Sequence, residues 1–182
     1  MLHWKDILYY AKYGNPEPPR RVAHTEAEWR HLLTPARYAV LREQNTEPPY
    51  RNAYCRSYTP GAYACAGCGS RLFEATAKYH AMSGWPSFTQ PAARNAIRYV
   101  FDDSHQMTRI EACCNVCGGH LGHVFPDGPA SGGLRYCLNS ASLTQPAGEP
   151  GQEAGASSPE EALPAAPAAP VGTGPARPGI GA

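Results

Sequence analysis

Apolar positions along the first 43 residues repeat at helical spacing. Trp4, Ile7, Leu8 and Ala11 recur at intervals of one turn, until "NPEPP" (15–19) stops the pattern. In "TEAEWRHLL" (25–33), Thr25 and Glu28 have capping-box spacing, and Trp29, Leu32 and Leu33 supply an apolar face. "TPARYAVLR" (34–42) offers a third start, with Thr34 as N-cap and Pro35 in the first turn. From about residue 50 the period shortens. Short β-prone runs alternate with Gly, Pro, Ser and Asp, and residues 96–101, 108–114 and 133–143 read as strands. The expected architecture is a small, mainly β domain behind short N-terminal helices. After about residue 145 the pattern vanishes into Ala, Pro, Gly, Ser and Glu. Such a segment buries too little apolar area to offset its ordering entropy. The expected division is one domain over residues 1–144 and a disordered tail over 145–182. No repeat of 20 to 50 residues is visible.

Composition narrows the class. A chain of 182 residues, 42% hydrophobic, suits one domain with appendages. The net charge of +1 gives no field for nucleic acid or an anionic membrane. No apolar stretch approaches the ~18 residues that span a bilayer. Lys5 and Asp6 stand where a signal peptide would have its apolar segment, so a cytoplasmic, reducing setting is expected. Seven cysteines, an odd number, argue against a complete disulfide framework. Paired CxxC units in a chain that is not exported point instead to metal or redox chemistry.

The pairs are Cys65/Cys68 in "CAGC" and Cys114/Cys117 in "CNVC", with 45 residues between them. Each CxxC places two thiolates on one turn, and two such turns make a tetrahedral all-thiolate site that suits zinc. Gly69 and Gly118 follow the pairs, as tight turns require. A thioredoxin-like dithiol would want a βαβ setting, and none is visible. Four protein ligands close the coordination sphere, so such a Zn2+ holds the fold and chemistry must lie elsewhere.

The remaining candidate chemistry clusters near "GLRYCLNS" (133–140). As a strand it puts Leu134, Tyr136 and Leu138 on one face and Arg135, Cys137 and Asn139 on the other. A cysteine beside a cation and an amide suits a reactive thiolate better than an inert packing thiol. A half-buried spectator thiol remains compatible with these residues alone. "HLGHVFPDG" (120–128) adds His120, His123, Phe125 and Asp127 on what reads as a Gly-containing loop. Two imidazoles near a cysteine could orient substrate and shuttle protons. "SGWPSF" (83–88) reads as a loop whose Trp85 could wall a pocket for a methyl or thioether, or simply plug the loop onto the core.

Together, "CAGC", "GWPSF", "CNVC", "HLGHVFPDGP" and "RYCLNSASL", in that order, resemble the B-type methionine sulfoxide reductases. "WKDILYYAKYGNPEP" and "LLTPARYAVLREQNTEPPY" look like the N-terminal extension some members carry, so the resemblance covers roughly residues 3–144. It implies two antiparallel sheets with helices packed against them, and the structural zinc. It also implies reduction of the R epimer of peptidyl methionine sulfoxide in oxidised proteins, with Cys137 as nucleophile. Trp85 and Phe125 look like the cage for the substrate methyl. His120, His123, Asp127, Arg135 and Asn139 look like the polar set around sulfoxide and thiolate.

One departure bears on recycling. Where many members read S-G-C-G before "WPSF", this chain has Ser83 at the cysteine position. Other members carry a cysteine before the first CxxC, and Cys55 stands there. The resemblance thus implies Cys55 as resolving thiol and thioredoxin as reductant. Cys113 and an external thiol are the competitors. A monomer is expected. The rival class is a non-catalytic zinc-binding β module that binds a partner protein. That reading leaves Arg135, Cys137 and Asn139, with the two histidines and Trp85, without a purpose.

Overall fold

The computed structural model describes residues 1–104, 109–129 and 132–145. Apart from Gln145, the segment read as a tail lies outside the described residues. Three helices open the chain: α1 (Trp4–Tyr13), α2 (Glu26–Leu32) and α3 (Pro35–Glu43). Their starts are set locally. Thr25 Oγ1 accepts from the Glu28 N–H while the Glu28 carboxylate accepts from the Thr25 N–H. Thr34 Oγ1 accepts from the Arg37 N–H, and Pro35 fills a first-turn position whose N–H has no helical partner.

Nine strands follow: β1 (Ala62–Cys65), β2 (Arg71–Glu74), β3 (Lys78–Tyr79), β4 (Ser87–Phe88), β5 (Ile97–Asp102), β6 (Arg109–Cys114), β7 (His120–Phe125), β8 (Arg135–Leu138) and β9 (Leu143–Thr144). Among the described residues they form two antiparallel sheets. The smaller runs β2-β1-β9, and the larger runs β3-β4-β8-β7-β6-β5. The mainly β class and the two sheets are as expected.

The inner face of the large sheet is the core face. Phe88 and Tyr136, directly paired on β4 and β8, pack on Phe73 of the small sheet with ring centroids 4.6 and 5.3 Å away. Tyr63 of β1 meets Phe88 at 5.0 Å. Each such ring contributes about 1.5–3 kcal/mol by leaving water. Further along the same face, α1 covers β5: Tyr10 stacks on Tyr99, and the Asn15 side chain bonds both N and O of Tyr99. The buried Tyr99 and Tyr136 hydroxyls satisfy each other at 2.8 Å. With this face filled, the other is left for a site.

Two sequence readings need correction. The run 133–143 is not one strand. β8 ends at Leu138, a 3₁₀ turn spans Ser140–Ser142, and the chain re-enters the other sheet as β9. The break is chemical: the Glu47 carboxylate accepts from the Ser140 and Ala141 N–H groups, and Ser142 Oγ donates to Asn139 O. These local bonds displace ladder bonds. Conversely, "HLGHVF" is not a loop but β7, an interior strand between β6 and β8.

Candidate active site

The outer face of the large sheet carries a row of directly paired residues across all six strands. It runs Tyr79, Ser87, Cys137, His123, Glu111, Val100 from β3 to β5. Directly opposed antiparallel residues hold their Cβ atoms about 4.5–5.5 Å apart on one face. Cys137 therefore has Ser87 on one side and His123 on the other.

A bulge brings the second imidazole to the same face. Residues three apart on a regular strand point to opposite faces. The β6–β7 register shifts between Ala112 and Cys113, so that Ala112 faces Gly122 and Cys113 faces His120. The extra residue, Leu121, is buried in the core. His120 and His123 then share the outer face with ring centroids 5.6 Å apart. Gly122 makes this possible: a Cβ there would lie 2.1 Å from Cys137 O.

Cys137 opens into a cavity of about 150 Å³ walled by Trp85, Phe125, His123, Arg109 and Asn139. Cys137 Sγ donates to Ser83 Oγ at 3.8 Å. Burial pushes the Cys137 thiol above its ordinary value; the Ser83 hydrogen bond and the Arg135 charge pull it back only in part. Arg135 is held by Asp127 through two bonds of 2.8 Å, with its guanidinium 4.4 Å from the Phe125 ring centre. That partner offsets the cation that would otherwise favour the thiolate.

Each histidine has its own carboxylate. His123 Nε2 lies 2.7 Å from Asp102 Oδ2, and His120 Nδ1 lies 2.6 Å from Glu111 Oε1. Burial works against both carboxylates, but hydrogen bonds from Ser104 and His123 hold Asp102 well below the usual range, and His120 holds Glu111 low. His123 is itself lowered, chiefly by burial, with Asp102 opposing. The two imidazoles are not equivalent. His123 lines the Cys137 cavity and also the neighbouring acidic cleft of about 730 Å³. His120 lines only that cleft, and its Nε2 is buried without a hydrogen-bond partner.

The aromatic wall and the end of β8 are clamped by one residue. Glu47 O accepts from Trp85 Nε1 at 3.0 Å, Glu47 N donates to Asn139 Oδ1 at 3.0 Å, and the Glu47 carboxylate caps the turn at Ser140. Asn139 Nδ2 donates to Leu121 O. Both ends of the Asn139 amide thus hold the scaffold while the residue lines the cavity.

Cys137, His123, Trp85, Phe125 and Asn139 are brought together; Arg135 and Asp127 form a pair beside them. His120 stands in the adjoining cleft. Cys55 is buried, free and absent from the cavity wall, on the loop after residue 50 within electrostatic range of Lys78 and Tyr58. Lys78 lies in the core-side row with Phe88 and Tyr136. Sequence reasoning missed Asp102, Glu111 and Glu47. For Glu111 a signal existed: an acid inside the apolar run "RIEACC" must find a partner.

Away from this face, the Sγ atoms of Cys65, Cys68, Cys114 and Cys117 lie within 4.8 Å of one another. Cys65–Cys117 and Cys68–Cys114 are 3.7 and 3.6 Å apart. A tetrahedral zinc with bonds of about 2.3 Å needs sulfurs about 3.8 Å apart, so the donors fit that ion. Both turns repeat one geometry. Gly69 N donates to Cys65 O and Gly118 N to Cys114 O, with φ of +71° and +72°. Trp29 of α2 and Leu41 of α3 pack against Gly67, and Leu41 also packs against Gly119.

A thiol directly opposite an imidazole under an aromatic wall, on a β scaffold that carries a four-cysteine cluster, is an arrangement suited to thiol chemistry. Residues 33–146 match the family described as SelR domain. A protein of Bradyrhizobium diazoefficiens named peptide methionine sulfoxide reductase MsrB is 53% identical over 123 residues, covering 68% of this chain and 88% of the relative. The protein of that name from Methanosarcina barkeri is 44% identical over 137 residues, covering 74% and 96%. The chain belongs to the SelR domain family, the B-type methionine sulfoxide reductases.

Proposed function

We propose that this protein reduces methionine-(R)-sulfoxide in oxidised proteins to methionine, with Cys137 as the nucleophile. The observation that carries this reading is the Cys137 thiol opening into a small cavity between Trp85 and Phe125 and facing His123 across the β7–β8 ladder. The sulfoxide methyl packs on the two aromatic faces, which suit soft apolar groups. Cys137 attacks the sulfoxide sulfur, the oxygen takes a proton, methionine leaves, and Cys137 becomes a sulfenic acid.

Recycling in this reading joins Cys55 to the sulfenic acid, and thioredoxin reduces the disulfide by exchange. A disulfide needs Cα atoms within about 7 Å. Cys55 does not line the Cys137 cavity, so in this reading the bond forms only when the two are brought together. Zinc at Cys65, Cys68, Cys114 and Cys117 ties β1 to β6 and supplies stability rather than chemistry. Every group the reaction needs comes from one chain, which supports a monomer. Thiol recycling fits a reducing cytoplasm. Among the described residues no helix is long and apolar enough to cross a membrane.

The test is incubation with dabsyl-methionine-R-sulfoxide and dithiothreitol, with the S epimer as control. Methionine product from the R epimer alone is expected. No product from either epimer would leave the metal-stapled β module as the better reading.

A further inference from the structure

The Cys137 site holds a thiol and needs a base before it can attack. The base must also return that proton, because the oxygen leaving the substrate has to be protonated. We infer that Asp102 is a positioning residue for this reaction: it holds His123 with Nδ1 free toward Cys137, completing a Cys137–His123–Asp102 relay. This rests on the reading of Cys137 as the nucleophile.

Three observations carry it. His123 and Cys137 are directly paired across the β7–β8 ladder and line the same cavity. The far nitrogen, Nε2, is taken by Asp102 Oδ2 at 2.7 Å. Asp102 is itself fixed, accepting from Arg109 Nη2 at 2.8 Å and from the Ser104 N–H at 2.9 Å. A carboxylate accepts only, so Nε2 carries the proton and Nδ1 keeps a lone pair. Nucleophile, base and orienting acid in series are the recurrent arrangement for activating a weak nucleophile. His120 is not equivalent, because its carboxylate holds Nδ1 and it does not line the Cys137 cavity.

The relay moves one proton. The Cys137 S–H proton passes to His123 Nδ1, and the sulfur attacks the sulfoxide. The substrate S–O bond breaks as an S–O bond to Cys137 forms, and the proton on Nδ1 ends on that oxygen. Two electrons pass from the Cys137 sulfur to the methionine sulfur, with no other reactant. Asp102 stays ionised and stabilises the transient imidazolium. Facing His123 are Arg109 and Glu111 on β6, His120 on its own strand and Cys137 on β8. Arg135 is paired with Asp127 beyond Cys137, and Glu43 and Asp103 line the adjoining cleft.

The experiment is single-turnover methionine release against pH, for the full chain and for Asp102→Asn and Asp102→Glu. Wild-type release tests the underlying reading. In the wild type the rate should fall on the acid side of the ordinary imidazole range, where His123, lowered by burial, gains a proton. Asp102→Asn should lose about 100-fold or more near neutral pH. Its residual rate should climb through the alkaline range of the Cys137 thiol, because an Asn that donates to Nε2 leaves the wrong tautomer. Asp102→Glu should recover part of the rate and the neutral profile. A purely structural role would lower the amplitude and leave the profile unmoved, and that result would overturn the proposal. Nitrogen NMR of the wild type gives a check that needs no variant: His123 neutral with its proton on Nε2 supports the relay, and a proton on Nδ1 refutes it.

Discussion

Cys137 and His123 stand opposite one another in the β7–β8 ladder, with Gly122 and Leu138 paired beside them. Their separation is set by backbone hydrogen bonding in the interior of a six-stranded sheet, and such strands open with the global unfolding energy rather than by loop motion. Cys137 and His123, the proposed nucleophile and proton partner, are held by interior strands of the large sheet, while Trp85 is carried by a loop that Glu47 clamps.

Cys137→Ser should remove methionine release altogether and leave the fold in place. Sγ donates a long hydrogen bond to Ser83, and a hydroxyl can keep it. Methionine release together with a thermal midpoint measures both halves. Turnover above background in a pure sample would move the nucleophile to another residue.

Cys55→Ser should behave differently. One methionine per enzyme should still appear in a single turnover, because Cys55 does not line the cavity. Continuous cycling with thioredoxin should be lost, and mass spectrometry of the substrate-treated wild type should show Cys55 joined to Cys137. A bond from Cys137 to Cys113 instead would reassign the resolving thiol, although burial pushes Cys113 up to about 12 and keeps it a poor nucleophile at neutral pH.

Removing the metal should act on stability first. In small metallodomains metal binding is folding energy. Here a core persists without it, so Cys68→Ser should cost at least about 3 kcal/mol, or roughly 10 °C in the thermal midpoint for a chain of this size. Metal content by a zinc dye and calorimetry of the same samples check this. An unchanged midpoint in metal-free protein would deny the cluster its structural role.

Acid should unfold the protein partly through Glu111. Burial opposes its charge, but the His120 contact holds the carboxyl below its ordinary value. A group lowered in the folded state contributes stability above its unfolded pKa, about 4.3, and loses it as pH falls through the folded value. The midpoint should therefore drop below about pH 4.3, and Glu111→Gln should flatten that limb at the cost of a lower plateau at pH 7. Glu47 has the opposite sign, since burial raises it, so it cannot produce an acid-side loss.

What the sequence shows and what it hides divide by the range of the interaction. The helix starts at Thr25 and Thr34 are legible because a cap and its partner lie three residues apart. The thiolate cluster is legible because each CxxC turn is local, and the polar face of β8 follows from strict alternation. The partners Asp102 and Glu111 depend on strand register across β5, β6 and β7, which no local pattern encodes. The break after Leu138 depends on Glu47, some 90 residues away in the chain. "HLGHVF" reads as a Gly-containing loop, and the bulge that lets its two histidines, three apart, share one strand face depends on pairing with β6.

That bulge supplies the sharpest structural test. At Gly122 φ is +153°, and a Cβ would meet Cys137 O at 2.1 Å and Leu138 Cα at 2.9 Å. These are backbone atoms of the partner strand and cannot move aside as a side chain would. Gly122→Ala must therefore push β7 away from β8, lengthening the ladder that pairs His123 with Cys137. The expected cost is about 3 kcal/mol or more, with methionine release falling further than the loss of folded protein explains. Gly133→Ala is the control, since Gly133 has φ of +68° but open space around its Cβ position. It should cost only the left-handed backbone penalty of about 1–2 kcal/mol and leave the rate per folded molecule unchanged. If the two variants prove equally mild, the close approach of β7 to β8 is not what holds the two histidines and the thiol on one face.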